Sequence, residues 1–179
     1  MYENIRIIVC DVDGVLTKQD IMYDENGISS YRFFSVKDGS ACAAAMELGL
    51  RIAWVSGRES KAVEARAKSL NVTDVYLGSI NKLAAFEDLQ NRYNITYEDM
   101  CFVTDDFLDI PVLKRVGLAC AVADADEDVR KISHYVTPRK GGEGAFADVV
   151  RMILTGRFGD SIFEEMAHAI WSKEKNMPG

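Results

Sequence analysis

The residues with the most chemical potential open with an acidic pair. Asp11-Val12-Asp13-Gly14 follows directly on the apolar run Ile5-Arg6-Ile7-Ile8-Val9-Cys10. Asp105-Asp106, with Asp109 further on, follows a second run, Cys101-Phe102-Val103-Thr104. Asp11, Asp13 and Asp105 have the composition of a magnesium site, with hard oxygen ligands that leave room for waters and a phosphate. Without a cation, carboxylates gathered in one crevice repel one another. Between the acidic segments lie Ser56-Gly57-Arg58 and Asn81-Lys82. A serine and glycine ahead of a helix form a phosphate cradle, and a lysine just past a strand balances carboxylates and holds a phosphoryl oxygen. Each piece also has an ordinary reading. Asp-x-Asp-Gly occurs as a solvated turn, Ser56 as a helix N-cap, and Lys82 as a surface charge. Their shared placement behind successive strands is what favours a site.

Those strands come from a regular alternation. Strand-like runs at Ile5–Cys10, Arg51–Val55, Val75–Leu77, Cys101–Thr104 and Leu118–Val122 are separated by helical patterns at 39–49, 59–70, 82–93 and 112–116, with a sixth strand expected within 132–136. This succession predicts βαβ units and an α/β fold: a doubly wound, Rossmann-like, mostly parallel sheet covered on both faces. Ligands of such sheets bind at the carboxyl ends of the strands, where the acidic pairs, Ser56 and Lys82 fall. One segment breaks the rhythm. Two β-rich runs surround Asp24-Glu25-Asn26-Gly27, predicting a β-hairpin insertion at about 18–36 in place of a cap domain. The expected organisation is one domain over 1–179, with a C-terminal helix and tail at about 157–179.

Composition narrows the partners. The chain has 179 residues, 48% hydrophobic, with 21 basic against 28 acidic residues and a net charge of -7. Such a surface repels nucleic acid, and no run of apolar residues reaches the roughly 18 of a membrane span. Cys10, Cys42, Cys101 and Cys120 lack CxxC spacing and sit in apolar stretches, which reads as reduced core thiols and a cytoplasmic protein. His134 and His168 lack metal-ligand spacing and read as structural or surface residues. Neither GxxxxGK nor GxSxG occurs, which excludes a P-loop enzyme and a nucleophile elbow.

The order Asp-x-Asp-Gly, Ser, Lys, Asp-Asp resembles the haloacid dehalogenase superfamily of phosphohydrolases. DVDGVLT (11–17), FSVKDG (34–39), VSGRESKAVEARAKSL (55–70), TDDFLDIPVLKRVGLACAVADA (104–125) and the GGEGA of 137–154 look like its 3-deoxy-D-manno-octulosonate 8-phosphate phosphatases and their sialic-acid-pathway relatives, over about residues 5–155. The resemblance implies a nucleophile at Asp11, which becomes an aspartyl phosphate, and an acid–base group at Asp13. It implies magnesium held by Asp11, Asp13 through its backbone carbonyl, and Asp105. It further implies phosphate binding by Ser56, Gly57 and Lys82, and substrate contacts at Lys37, Asp38, Gly39, Arg58 and Arg66. The substrate expected is a small anionic sugar phosphate, the eight-carbon 8-phosphate ahead of nine-carbon 9-phosphates. Members pair their hairpins into homotetramers, and the same assembly is expected here. Thr104 stands where members usually have Gly, and Asn81 where they have Asp, which bears on specificity and rate. Other function classes are a catalytically silent scaffold and a phospho-receiver module. In a receiver the acidic pair follows the first strand and the phosphoacceptor a later one, the reverse of the order here.

Overall fold

The computed structural model describes residues 2–175 apart from 28 and 30. Its centre is a six-stranded sheet in the order β3-β2-β1-β4-β5-β6. The strands are β1 (Ile7–Asp11), β2 (Arg51–Val55), β3 (Asp74–Tyr76), β4 (Met100–Thr104), β5 (Leu118–Ala121) and β6 (Tyr135–Val136). Every pairing is parallel. All residues of β1, β4 and β5 are buried, as mainly apolar runs covered on both faces demand. Seven helices join and flank the strands: α1 (Val36–Glu47), α2 (Lys61–Ser69), α3 (Leu83–Tyr93), α4 (Ile110–Leu113), α5 (Glu127–Ile132), α6 (Ala145–Phe158) and α7 (Ile162–Lys175). None is long and apolar enough to cross a membrane among the described residues.

The chain reverses its order between β1 and β4, which lie side by side. That switch point opens a crevice beyond the strand ends, as general α/β topology requires. In the register, Asp11 stands beside Val55 and Cys10 beside Val103. Asp11, Ser56 and Asp105 therefore emerge from three adjoining strands within two residues of a common level. After β1 the chain makes a wide turn over Val12–Leu16, closed by the Thr17 N–H on Val12 O at 3.1 Å. A glycine is required within it. Gly14 has φ +92°, and a Cβ there would lie 2.0 Å from Asp105 Oδ2. The turn after β6 braces this loop from outside: a Cβ on Gly141 would strike Gly14 O, and the Gly142 N–H bonds Val15 O at 2.9 Å.

One expectation needs correction, and two others gain detail. The 18–36 insertion forms the reverse turn, with the Gly27 N–H on Asp24 O and the Asn26 N–H on Asp24 Oδ1, both at 3.0 Å. No strand forms among its described residues, and Ile28 and Ser30 lie outside them. A lone two-stranded ribbon is marginal in water, and Tyr23, Tyr31 and Phe33 are 58–79% exposed with little to pack on. The run 132–136 is divided between the end of α5 and a two-residue β6. The 157–179 tail is the end of α6 followed by α7, whose Ile162, Phe163 and Met166 reach the core while Ile170 and Trp171 stay exposed; 176–179 lie outside the described residues. The four cysteines are free and buried, with Cys101 Sγ 3.7 Å from Cys120 Sγ.

Candidate active site

A cavity of about 250 Å³ beyond the strand ends is lined by Asp11, Asp13, Ser56, Gly57, Arg58 and Lys82, together with Asp106 and Asp109. At its floor, Asp11 Oδ1 accepts the Val12 N–H at 2.8 Å and the Lys82 ammonium at 3.0 Å. Lys82 Nζ also meets Asp109 Oδ2 at 2.6 Å, and the Thr104 hydroxyl donates to that same oxygen. Lysine, both carboxylates and the threonine are all buried. Burial opposes the charge on Lys82, but Asp11 and Asp109 raise its pKa above the ordinary value and keep it cationic. Asp11 moves up as well: burial raises it, Lys82 opposes, and repulsion from Asp109 and Asp105 adds to the rise. One lysine does not balance this acidic floor.

The wall opposite is polar. Ser56 Oγ receives the Arg58 N–H at 3.1 Å and faces Asp13 Oδ2 at 3.4 Å. Asp13 Oδ1 accepts from Arg32 Nε at 3.0 Å. A second cavity of about 500 Å³ adjoins the first, sharing Asp13, Arg58 and Asp106, and it also holds Asp105 and Gln19. Gln19 Nε2 donates to Asp105 Oδ2 and to Asp124 O, both at 3.1 Å. Exposed Ile80, Phe107 and Leu108 stand on the rims of the two cavities.

Asp11, Asp13, Ser56, Gly57, Arg58 and Lys82 thus share one cleft, and Asp105 lies in its extension. Lys37, Asp38, Gly39 and Arg66 line neither cavity. Because α1 starts at Val36, the Lys-Asp-Gly run lies in its first turn, with the Asp38 carboxyl carried under α6. Asp38 is 3% exposed, and its Oδ1 accepts the Ala147 N–H at 2.9 Å. Arg66 fills the space left by Gly39, donates to Ser35 O at 3.5 Å, and lies 6.0 Å above the Phe34 ring. These residues tie α1 to its neighbours. Sequence reasoning noted Asp109 on the rim without giving it a role, although its spacing from Asp105 was a usable signal. Arg32 and Gln19 were missed. Arg32 had only its isolation among aromatic neighbours to mark it, and Gln19 had no signal.

This geometry has relatives. A family model of haloacid dehalogenase-like hydrolases matches residues 71–149. The 3-deoxy-D-manno-octulosonate 8-phosphate phosphatase of Escherichia coli K12 is 40% identical over 152 residues, 85% of this chain and 80% of that protein. The chain belongs to the haloacid dehalogenase-like hydrolases. Two solved members share its shape. The Yersinia pestis 3-deoxy-D-manno-octulosonate 8-phosphate phosphatase has a TM-score of 0.85 at 35% identity, covering 88% of this chain and 85% of that one. The Moraxella catarrhalis phosphatase of the same name, solved with a magnesium ion, a phosphate ion and a KDO molecule, has a TM-score of 0.86 at 29% identity, covering 93% and 94%. As a member of this family the chain is a phosphoric-ester hydrolase, and the receiver and silent-scaffold readings are set aside.

A haloacid dehalogenase-like hydrolase of this branch implies a divalent cation, and the residues here fit one. Asp105 Oδ1 is buried with no hydrogen-bond partner. Burial and neighbouring Asp106 push Asp105 above the usual carboxylate range, a cost that a bound cation would relieve. Among the described residues, no three His, Cys, Asp or Glu side chains are placed to hold a metal ion by themselves. The donors that the resemblance implies, the Asp11 and Asp105 carboxylates with the Asp13 carbonyl, are hard oxygens of the kind that suits magnesium.

Proposed function

We propose that this chain is a magnesium-dependent phosphomonoesterase that hydrolyses 3-deoxy-D-manno-octulosonate 8-phosphate to the free sugar acid and phosphate. The observation that carries the proposal is the joining, in one cleft, of a lysine-held carboxylate, Asp11, with a second carboxylate, Asp13, facing Ser56. The names and extent of the relatives support the substrate.

Asp11 is the nucleophile. Its oxygen bonds to phosphorus as the ester P–O bond breaks, giving an aspartyl phosphate. Asp13 gives its proton to the departing sugar oxygen, then takes one from the water that cleaves the Asp11–phosphorus bond. Lys82 keeps Asp11 turned into the cleft and meets a phosphoryl oxygen, while Ser56 and the amides beside Gly57 and Arg58 receive the others. Asp11, Asp105 and the Asp13 carbonyl would hold magnesium, which would supply positive charge against the phosphoryl oxygens and the acidic floor. Arg58, on the boundary of the two cavities, is the cation placed to meet the sugar acid's distant carboxylate.

The test is phosphate release from a panel of sugar phosphates with magnesium and with chelator. The eight-carbon ester is expected to lead. A preference for a nine-carbon 9-phosphate, or undiminished activity in chelator, would overturn the assignment. The proposal includes a cytoplasmic homotetramer joined through segment 17–35, whose exposed Tyr23, Tyr31 and Phe33 favour burial against other copies. A fully active monomer in sedimentation at assay concentration would remove that part.

A further inference from the structure

Arg32 belongs to neither the sheet nor a helix. It lies in segment 17–35, yet its side chain is only 7% exposed, while Tyr31 and Phe33 on either side of it are 65% and 79% exposed. Long charged side chains are seldom covered without a partner. Arg32 Nη1 donates to Ser29 Oγ and to Tyr31 O, both at 3.0 Å. These bonds fix the guanidinium within its own segment and leave Nε directed at Asp13 Oδ1, 3.0 Å away. Asp13 is its ion-pair partner among the described residues.

Asp13 needs such a partner. It follows the end of β1 in the non-helical part of the turn, directly before the positive-φ Gly14, and its side chain is 27% exposed. No element of the sheet grips its carboxyl. Its oxygens are held from two sides instead, by Arg32 on Oδ1 and by Ser56 Oγ, 3.4 Å from Oδ2. An acid delivers a proton efficiently only from a fixed position near the departing oxygen, and a displacement of about 1 Å costs on the order of 100-fold.

We propose that Arg32 is a positioning residue for phosphoryl transfer, aiming the Asp13 carboxyl at the ester oxygen that leaves. The proposal rests on the reading of Asp13 as the acid. In that step Asp13, carrying its proton on Oδ2 while Oδ1 accepts from Arg32, gives that proton to the ester oxygen as the Asp11–phosphorus bond forms and the phosphorus–ester oxygen bond breaks. A sugar alkoxide is a poor leaving group and needs this proton. A 4-nitrophenolate leaves without it. Loss of acid alignment therefore slows the two esters unequally, whereas loss of phosphate binding or of fold slows them alike.

The experiment measures kcat/KM, which ends at release of the first product, for D13N, R32A, R32K and D13N/R32A on octulosonate 8-phosphate and 4-nitrophenyl phosphate. Arg32→Ala is expected to lose about 10- to 100-fold on the sugar ester and at least tenfold less on the aryl ester. Arg32→Lys keeps the charge but lacks the planar fork and should fall between. In the D13N background, R32A should add no further discrimination. Equal losses on both esters from R32A, or no loss, overturn the role of Arg32 if D13N still discriminates. Equal losses from D13N itself remove Asp13 as the acid and the inference with it. Should R32A fail to give a native circular dichroism spectrum, R32K carries the same comparison, with unequal losses supporting the role and equal losses or none overturning it.

Discussion

Asp11, Ser56 and Thr104 stand at the ends of three adjoining buried strands, whereas Gln19 and Arg32 reach the same cleft from a segment without paired strands among its described residues. Parallel pairing on both sides fixes β1, so Asp11 inherits its position from the whole sheet. Segment 17–35 is fastened at points: Gln19 on Asp105, Arg32 on Asp13, and Phe34 stacked on Trp54 with ring centroids 6.3 Å apart. On the proposed reading, the strand ends and the loops that follow them carry the nucleophile Asp11, the cation Lys82 and the phosphate cradle at Ser56. The segment touches Asp13, the proposed acid, and Asp105. Substitutions at strand ends should therefore abolish chemistry or stability, and substitutions in the segment should tune selection or assembly.

The sharpest attack on that division is Asp11→Asn. It should lower turnover by about 10⁴-fold or more, with near-native circular dichroism, because the amide has the shape of the nucleophile but not its reactivity. Near-normal turnover in a preparation free of other phosphatases would end the comparison. Lys82→Ala should damage both activity and stability, since it strands Asp11 and Asp109 as uncompensated buried carboxylates. The expected loss is roughly 100- to 1,000-fold in kcat and about 3–5 kcal/mol by urea denaturation. A variant as stable as the parent would mean that the buried triad is not held by this lysine.

Asp38, in the first turn of α1, predicts a dependence on pH. Burial raises its carboxyl to about 6, with the Ala147 N–H and Arg139 opposing, Asp148 adding to the rise, and Arg66 opposing. Its folded value lies above the ordinary 3.8, so its favourable contribution is full below pH 3.8 and is lost as pH rises through about 6. Urea midpoints of the parent should fall across that interval relative to those of Asp38→Asn, by at most about 3 kcal/mol in stability. Parallel profiles would show that Asp38 is not penalised by its surroundings. At the small end, Phe33→Ala should change the stability of the single chain by no more than about 0.5 kcal/mol, because the ring is 79% exposed. Its effect should appear in sedimentation, as weakened assembly.

The same division decided what the sequence revealed. The strand at Arg51–Val55 agrees with its reading to the residue and the one at Met100–Thr104 within one, because β-branched runs of strand length bounded by polar turns leave little ambiguity. The clustering of Asp11, Ser56, Lys82 and Asp105 was legible for the same reason: known strand ends in a parallel sheet point one way. Helix α5 was not read, being six residues long with only Val129 buried. The expected hairpin failed because its two runs had a turn and apolar side chains but no third surface. Gln19 and Arg32 were invisible because their contacts, across 86 and 19 residues, follow a path that no periodicity encodes.

The buried thiols give the protein a built-in clock. Cys10, Cys101 and Cys120 lie on three adjoining strands and Cys42 on α1, all without solvent contact. Burial pushes the thiols of Cys10, Cys42 and Cys101 above their ordinary range, so these three offer almost no thiolate, the form that reacts with alkylating agents. A bulky reagent must wait for the chain to open around each sulfur. The order of labelling then reports how the molecule comes apart: Cys42 ahead of the others if α1 lifts from the sheet first, all four together if sheet and helix part in one cooperative event.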